Sequence, residues 1–332
     1  MMDKYSKRIT QKADKYARNR NHVCLAPGCK MRAIHGHAIS RSLCVEGLAK
    51  NGILYSRRIS LMETMRMASA YDPPEIVQMG VNDAGLFKGY CQAHDSSFFA
   101  AAEASDVIKK KNMFVSLFLR ALSVEFCRKR LVRDFEMRIS ELTNDPIERE
   151  EGQEFVNHYN SHLSIFQEVF LRRFFGAVES IEYFFLPIAR NLQISCCGCF
   201  DGTPGSMNSI IGYNLISYSD MSLLILSTFT SIKHHLDSFI GKFSLPAGAE
   251  RLINDIAFFH CEEPLISPPL WRSLNGNEKL ALRRSLRHPD FREETSAPRV
   301  IKLTSTDFMT KLSPAVLARM TPPPSTDIRL FS

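Results

Sequence analysis

Two pairs of metal-ligand residues, separated by 61 residues, constrain the fold of this chain more than any other feature. Cys24 and Cys29 form the first pair, and Cys91 and His94 form the second. Each pair has the spacing at which a tight turn brings two ligands to one ion, and a Pro-Gly dipeptide supplies the turn in the first pair. Thiolate and imidazole ligands in this pattern are typical of a structural zinc ion with tetrahedral coordination. The sequence therefore predicts that both pairs close around one zinc ion.

The positive charge of the chain is concentrated in its first 50 residues. The 332 residues carry a formal net charge of +7. Residues 1–50 contain eleven Lys or Arg and three Asp or Glu, whereas residues 51–99 contain four and five, so the remainder is neutral. A basic segment beside a metal motif indicates a polyanion partner such as nucleic acid, and the alternative is a solvated helix that only aids solubility. The expected phosphate contacts are Lys7, Arg8, Lys12, Lys15, Arg18, Arg20, Lys30, Arg32 and Arg41.

Composition is that of an ordinary globular protein. Hydrophobic residues make up 45% of the chain and charged residues 23%, and no apolar run reaches the length that crosses a bilayer. The N-terminal residues lack the apolar core of a secretory signal. Nine cysteines without such a signal favour reduced thiols and metal ligands over disulfides. We therefore expect a cytoplasmic protein that does not associate with membranes.

Ligand spacing and hydrophobic periodicity together predict an α+β protein with an N-terminal zinc module, a helical middle and a C-terminal antiparallel sheet covered by helices. Apolar residues at spacings of three and four predict helices over 112–143 and 147–177. Short β-branched or aromatic runs between turn signals predict about four strands between residues 181 and 226. The expected divisions are 1–105 for the zinc module with its basic helix, 106–178 for the helical region, 179–290 for the sheet and its helices, and 291–332 for a polar, Pro-rich tail.

The segment between the two ligand pairs carries two histidines. Residues 33–39 are expected to be extended, which places His35 and His37 on one face of a strand. A helix over 41–50 and a second strand over 53–59 are expected to follow.

The order of these residues resembles that of the HNH-like, treble-clef nucleases. Beyond the four ligands, the resemblance is carried by His37 with the Ala-Ile-Ser that follows it and by Asp95 at a helix start, and it covers about residues 20–100. It implies that the ligands hold a structural zinc ion, that His37 is a general base and that Asp95 binds a catalytic Mg²⁺ or Mn²⁺ ion. His35 is a further candidate, as a second metal ligand or as a group that orients substrate.

Three features depart from the family pattern. Asp95 occupies a position that is usually His, residues 86–90 contain no Asn before the second pair, and the two pairs are farther apart than in compact members.

Phosphodiester hydrolysis explains why these residue types are useful together. The reaction needs an activated water and a cation that neutralises charge in the transition state. A neutral imidazole can take the proton of the water, and a carboxylate suits Mg²⁺ better than imidazole does. The structural alternatives are that His37 only bonds a backbone carbonyl and that Asp95 only complements the dipole of its helix.

The predicted function is therefore a metal-dependent endonuclease, with a defence or toxin-like effector as its setting. The first alternative is a non-catalytic, zinc-stabilised module that binds nucleic acid or protein. A third hypothesis makes the zinc module architectural and places the activity in the sheet, at Asp201, Asp220 or residues 228–230. A protein partner or a second copy is expected at the C-terminal half. The pair His158 and His162 and the Cys196, Cys197 and Cys199 cluster are interpreted as structural.

Overall fold

Helices and antiparallel strands both contribute to the computed structural model, which confirms the mixed α+β class. The described residues are 4–57, 74–103, 113–167, 172–176, 180–202, 209–218, 220–243, 248–286, 298–303 and 326–327. Most of the expected C-terminal tail and the side chain of Lys4 lie outside this description, as does Arg58.

The helix expected over 112–143 is present over Met113–Leu142, whereas within 147–177 the structure describes two shorter helices, Pro146–Ile165 and Arg172–Phe175. The α-helices of the described ranges are α1 (Lys4–Asn19), α2 (Glu46–Leu48), α3 (Gln92–Glu103), α4 (Met113–Leu142), α5 (Pro146–Ile165), α6 (Arg172–Phe175), α7 (Lys233–Gly241), α8 (Ala249–Asn254), α9 (Pro268–Ser273) and α10 (Gly276–Ser285). Other helical turns span Arg41–Val45, Thr230–Ile232 and Asp255–His260. Helix α5 begins at Pro146 because the side chain of Asp145 accepts hydrogen bonds from the first-turn amides. Among the residues described here, no helix has the length and apolar character needed to span a bilayer.

The strands form one large antiparallel sheet and one short pair. They are β1 (Gly36–His37), β2 (Ile53–Arg57), β3 (Ile76–Gly80), β4 (Leu86–Phe87), β5 (Ser180–Ile188), β6 (Ile194–Asp201), β7 (Ile210–Tyr218), β8 (Met221–Phe229), β9 (Leu265–Ile266) and β10 (Thr326–Asp327). Seven strands follow in the order β5-β8-β7-β6-β9-β2-β3, and β10 pairs with β5 at the edge. The four strands expected from the sequence are the centre of this sheet.

Strands β2 and β3 come from the segment between the two ligand pairs. Tyr55 of β2 lies opposite Ile266 of β9, so this segment extends the C-terminal sheet. Strands β1 and β4 lie near the two ends of the same segment, and among the described residues they pair with each other alone, with Gly36 opposite Phe87. The N-terminal and C-terminal parts of the chain therefore share one sheet.

Helix α4 connects the sheet to the segment that carries the four predicted zinc ligands, which we call the zinc region. One face of α4 covers β6 and β7, where Gly212 lacks the Cβ that would lie 2.7 Å from the ring of Phe118. Near its other end, α4 buries Phe135 against Ala13 of α1. Helices α7, α8 and α10 cover the opposite face of the sheet.

Candidate metal centre and catalytic cleft

The four predicted ligands meet at one point. The ligand atoms of Cys24, Cys29, Cys91 and His94 all lie within 4.8 Å of one another. The Sγ atoms of Cys24 and Cys91 are 3.4 and 3.3 Å from Nδ1 of His94, and the Sγ atoms of Cys29 and Cys91 are 4.0 Å apart. Zn–S bonds of about 2.3 Å in a tetrahedron require ligand atoms about 3.5–3.8 Å apart. The cluster could therefore hold a zinc ion.

The first pair sits on a tight turn that its glycine permits. The amide of Cys29 donates to the carbonyl of Ala26 at 3.1 Å, and Gly28 has a φ of +74°, in the left-handed region that glycine adopts without strain. The amide of Cys24 donates to Met31 at 2.9 Å, which closes the turn as a short antiparallel ladder. Both sulfur atoms thus face the same side.

The second pair sits at the start of α3 and is tied directly to the first. The amide of Leu25 donates to the carbonyl of Gly89 at 2.9 Å, two residues before Cys91. His94 is held by its ring, which stacks on Phe98 with centroids 5.1 Å apart. The backbone, rather than a metal ion alone, therefore brings the two pairs together.

The environment of the thiols differs across the cluster. Backbone hydrogen bonds from the start of α3, that of His94 first, lower the pKa of Cys91. Burial raises the pKa of Cys24 to about 11. A divalent ion favours the thiolate form of every ligand, so binding would release protons.

His37 lies at the end of β1 with its ring fixed by the backbone. Its Nδ1 is 3.1 Å from the carbonyl oxygen of Ala84, which can only accept, so Nδ1 carries the hydrogen. Burial lowers the pKa of His37, and the guanidiniums of Arg41 and Arg120 lower it further. The neutral ring therefore presents the lone pair of Nε2, which is the form that a general base requires.

Asp95 extends from the first turn of α3 onto β1. A Cβ atom at Gly36 would lie only 2.6 Å from Oδ1 of Asp95, so the carboxylate rests on the residue that precedes His37. Burial raises the pKa of Asp95, whereas the nearby charges of Arg120 and His37 lower it. The carboxylate of Asp95 thus lies against β1, close enough to the ring of His37 for the two groups to interact electrostatically.

Three polar residues that the sequence analysis did not select border this place. Glu103 accepts hydrogen bonds from Ser40 Oγ at 2.7 Å and from Arg120 Nη2 at 2.6 Å. Arg120 is 2% exposed, and its guanidinium lies 4.3 Å from the ring centre of Phe99. The sequence does contain an indication of this buried ion pair. Arg120 is the single charged residue in the apolar run from Phe118 to Leu122, and a buried charge needs a partner of opposite charge.

His35 has different surroundings from His37. It is exposed, burial of part of the ring lowers its pKa, and the next contributions come from Lys88 and Arg32. Neither Asp95 nor Glu103 is among these groups. A catalytic role for His35 stays a prediction.

The predicted phosphate contacts fall into two groups. Arg20, Arg18 and Arg41 form ion pairs with Asp134, Asp14 and Glu46, respectively. The other cations are exposed, and those of α1 lie opposite its buried Ile9 and Ala13. This second group is Lys7, Arg8, Lys12, Lys15, Lys30 and Arg32.

Of the candidate residues in the sheet, the two threonines bond to neighbouring strands. Thr228 Oγ1 donates to Ile210 at 2.9 Å and Thr230 Oγ1 donates to Ser180 at 2.9 Å. Asp201 and Asp220 are exposed at strand ends. Cys196, Cys197 and Cys199 are buried, and in the described ranges only the zinc-type cluster brings three or more candidate ligands together.

No family model, curated protein or solved structure matches this chain.

Proposed function

We propose that the N-terminal region is a zinc-stabilised, treble-clef module of the HNH-like type that hydrolyses phosphodiester bonds of nucleic acid with a divalent cation. The observation that carries the proposal is the contact of Asp95 with Gly36, immediately before His37. It puts a hard oxygen ligand against the strand that carries a neutral imidazole, within range of an electrostatic interaction with that ring, and these are two groups that this hydrolysis needs from a protein.

The four-ligand cluster has the donor set and the spacing of a closed structural zinc site. Its role is to hold the start of α3 against the β1–β4 pair. Because Asp95 follows His94 directly, the ion would fix the carboxylate as well as the fold.

His37 and Asp95 would have different roles in the hydrolysis. His37 takes a proton from the attacking water through Nε2, while its bond to Ala84 keeps the ring oriented. Asp95 binds Mg²⁺ or Mn²⁺, which when bound neutralises charge on the phosphate group. Mg²⁺ commonly uses one or two carboxylates and completes its shell with water and substrate oxygens. A site with Asp95 as the main protein ligand agrees with that coordination preference.

The exposed cations of α1 are suited to bind the nucleic acid backbone. Lys7, Arg8, Lys12 and Lys15 lie on the solvent side of this helix and make no ion pair with the described residues. Cations of this kind supply affinity that depends on salt and not on base sequence.

The test is cleavage of supercoiled plasmid and of single-stranded RNA with Mg²⁺ or Mn²⁺. We expect His37→Ala and Asp95→Ala each to abolish cleavage while zinc content stays at the level of the unsubstituted protein. His234→Ala, which changes an exposed histidine of α7, is the matched control and should cleave normally. Normal cleavage by His37→Ala would reject the assigned base.

The alternative is a zinc-stabilised module that binds nucleic acid without cleaving it. The same ion-pair-free cations of α1 favour it, because they need no catalytic residue. Salt-dependent binding by a protein that cleaves neither substrate would support this function and reject the nuclease.

A further inference from the structure

A cavity of about 130 Å³ lies where the end of α1, strand β4 and the middle of α4 meet. Most of its wall is apolar, and the charged groups in it are basic except for one carboxylate. The charged and titratable lining residues are Arg18, His22, His35, Lys88, Arg128, Arg130 and Glu263.

Two of the lining cations already have carboxylate partners. Arg18 Nε is 2.9 Å from Asp14, and Arg128 Nη2 is 3.1 Å from Glu263. Glu263, the one acidic residue of the wall, is therefore paired with Arg128. The charges of Arg18 and Arg128 are both neutralised by carboxylates.

Lys88 and Arg130 are held differently, because their partners are backbone carbonyls. Lys88 Nζ donates to the carbonyl of Arg18, and Arg130 Nη2 donates to the carbonyl of Lys88 at 2.6 Å. Neither side chain forms an ion pair with any described residue, and Arg130 is only 9% exposed. Arg130 also donates to the sulfur of Cys127 at 3.5 Å and lies 5.6 Å from the ring centre of Phe126. None of these partners carries a net charge, so no described carboxylate neutralises either cation.

Adjacent, uncompensated cations in a partly buried wall are unfavourable unless an anion joins them. Burial lowers the pKa of Lys88, and the charges of Arg32 and Arg130 lower it further. The field in the cavity is therefore positive, and it acts on the exposed ring of His35 as well.

The size of the cavity limits the ligand. Pockets for drug-sized molecules have volumes of about 300–1,000 Å³, so about 130 Å³ admits a single small group and not a nucleoside. The cavity is lined by an ammonium and a guanidinium, and these are the donors that phosphate oxygens favour.

We propose that this cavity is a binding site for one phosphate group, held by Lys88 and Arg130 with His35 beside them. The source is either free phosphate or the terminal phosphate of a nucleic acid strand. The site uses none of the zinc ligands, nor His37 or Asp95, so it does not depend on the proposed nuclease.

A structural explanation competes with this proposal. The carbonyl of Arg18 is near the C-terminal end of α1, where a lysine stabilises a helix without any ligand. In that case Lys88→Gln would lower stability and the protein would bind no phosphate.

The test is isothermal titration of the zinc-loaded full chain with inorganic phosphate in a phosphate-free buffer of low ionic strength. We expect one saturable site that Lys88→Gln and Arg130→Gln each weaken about tenfold or more, as for loss of one charge-assisted hydrogen bond. Lys233→Gln removes one positive charge from an exposed ion pair on α7 and should leave affinity unchanged. Arg130→Lys, which keeps the charge, should weaken binding less than Arg130→Gln.

Two oligonucleotide probes distinguish the sources. Tighter binding of a 5′-phosphorylated dinucleotide than of its 5′-hydroxyl form assigns the site to a strand end, and binding of inorganic phosphate alone assigns it to the free ion. Both outcomes support the proposal. Absence of saturable binding by the unsubstituted protein, or equal affinity in Lys88→Gln, Arg130→Gln and Lys233→Gln, would overturn it. Cleavage assays are not a readout here, so failure of the nuclease proposal leaves this result interpretable.

Discussion

Arg20, just beyond α1, donates a 2.7 Å hydrogen bond from Nη1 to Oδ1 of Asp134, a carboxylate of α4 with no exposed surface. Arg133 donates to the same oxygen at 2.8 Å. The guanidinium of Arg20 therefore anchors the end of the basic helix to the long helix behind it, and its contact with phosphate stays a prediction.

Replacing Asp134 with alanine should destabilise the protein, because two arginines then lose their buried counterion. We expect the free energy of unfolding to fall by about 3 kcal/mol, the lower end for breaking a buried ion pair, since both arginines are partly exposed. Urea denaturation of the zinc-loaded protein measures it. Asp14→Ala, which removes the exposed pair with Arg18, should change stability by less than about 1 kcal/mol. Equal losses in the two variants would show that the buried pair has no special role.

Adding one methyl group at residue 36 should selectively disturb the proposed site of Asp95 and His37. In Gly36→Ala the new Cβ would lie 2.6 Å from Oδ1 of Asp95, so the carboxylate must shift. A displacement of about 1 Å at a reacting group can lower activity about a hundredfold, and we expect a loss of that order in plasmid cleavage with zinc content unchanged. Gly47→Ala has open space around the new Cβ and should retain full activity. Full activity in Gly36→Ala would argue against a role for Asp95.

Replacing one cysteine of either ligand pair should prevent the protein from retaining zinc. Cys24→Ser and Cys91→Ser each lose one ligand of the cluster, and we expect both to retain little zinc when measured by plasma mass spectrometry. Cys199→Ala, a buried cysteine of β6 outside the cluster, should retain zinc at the level of the unsubstituted protein. Full occupancy in both ligand variants would eliminate the zinc site.

Glu103 should matter for stability because Arg120 depends on it. Glu103→Ala leaves the guanidinium of Arg120, whose side chain is 3% exposed, without its carboxylate, and we expect a loss of about 3 kcal/mol in unfolding free energy. The double variant Glu103→Gln with Arg120→Met removes both charges and should recover part of that loss. If the double variant is no more stable than Glu103→Ala, the uncompensated charge is not the cause.

His162 of α5 should contribute to acid sensitivity. Burial lowers its pKa to about 4, with further lowering from Lys129 and His158, whereas in the unfolded chain it is about 6.5. Between these values the unfolded state binds more protons, so stability falls as pH falls from 6.5 towards 4 and is constant above that range. After allowance for partial exposure we expect about 1 kcal/mol. Urea denaturation at pH 7 and pH 4.5 measures it.

His162→Asn should flatten this pH dependence, and His234→Asn on exposed α7 should leave it unchanged. The same slope in all three proteins would assign the acid sensitivity to other groups.

Local patterns were sufficient to predict the ligands and the main elements. The spacing of Cys24 with Cys29 and of Cys91 with His94 depends on tight turns, which short sequence determines. Helix α4 and the four central strands follow from apolar periods of 3.6 and 2 over long segments. The expected strand over 33–39 is shorter than predicted, since β1 covers only Gly36–His37.

Pairings across the chain could not be predicted from local patterns. The contact of Tyr55 with Ile266 joins strands that lie more than 200 residues apart, and neither strand shows in its own residues which neighbour it has. The partners of buried charges were missed for the same reason. Asp134 and Arg120 lie in an amphipathic helix, where their spacing is compatible with solvent exposure.

The pairing of β2 with β9 makes the zinc region inseparable from the rest of the protein. A fragment that ends near residue 105 would contain β2 and β3 without β9, and the edge of β2 that pairs with Ile266 would face water. The segment between the two ligand pairs thus contributes both to the arrangement of the ligands and to the order of strands in the large sheet. A minimal peptide that contains only the four predicted ligands would therefore lack the strand that pairs with β2. Metal binding is for this reason expected of the intact polypeptide.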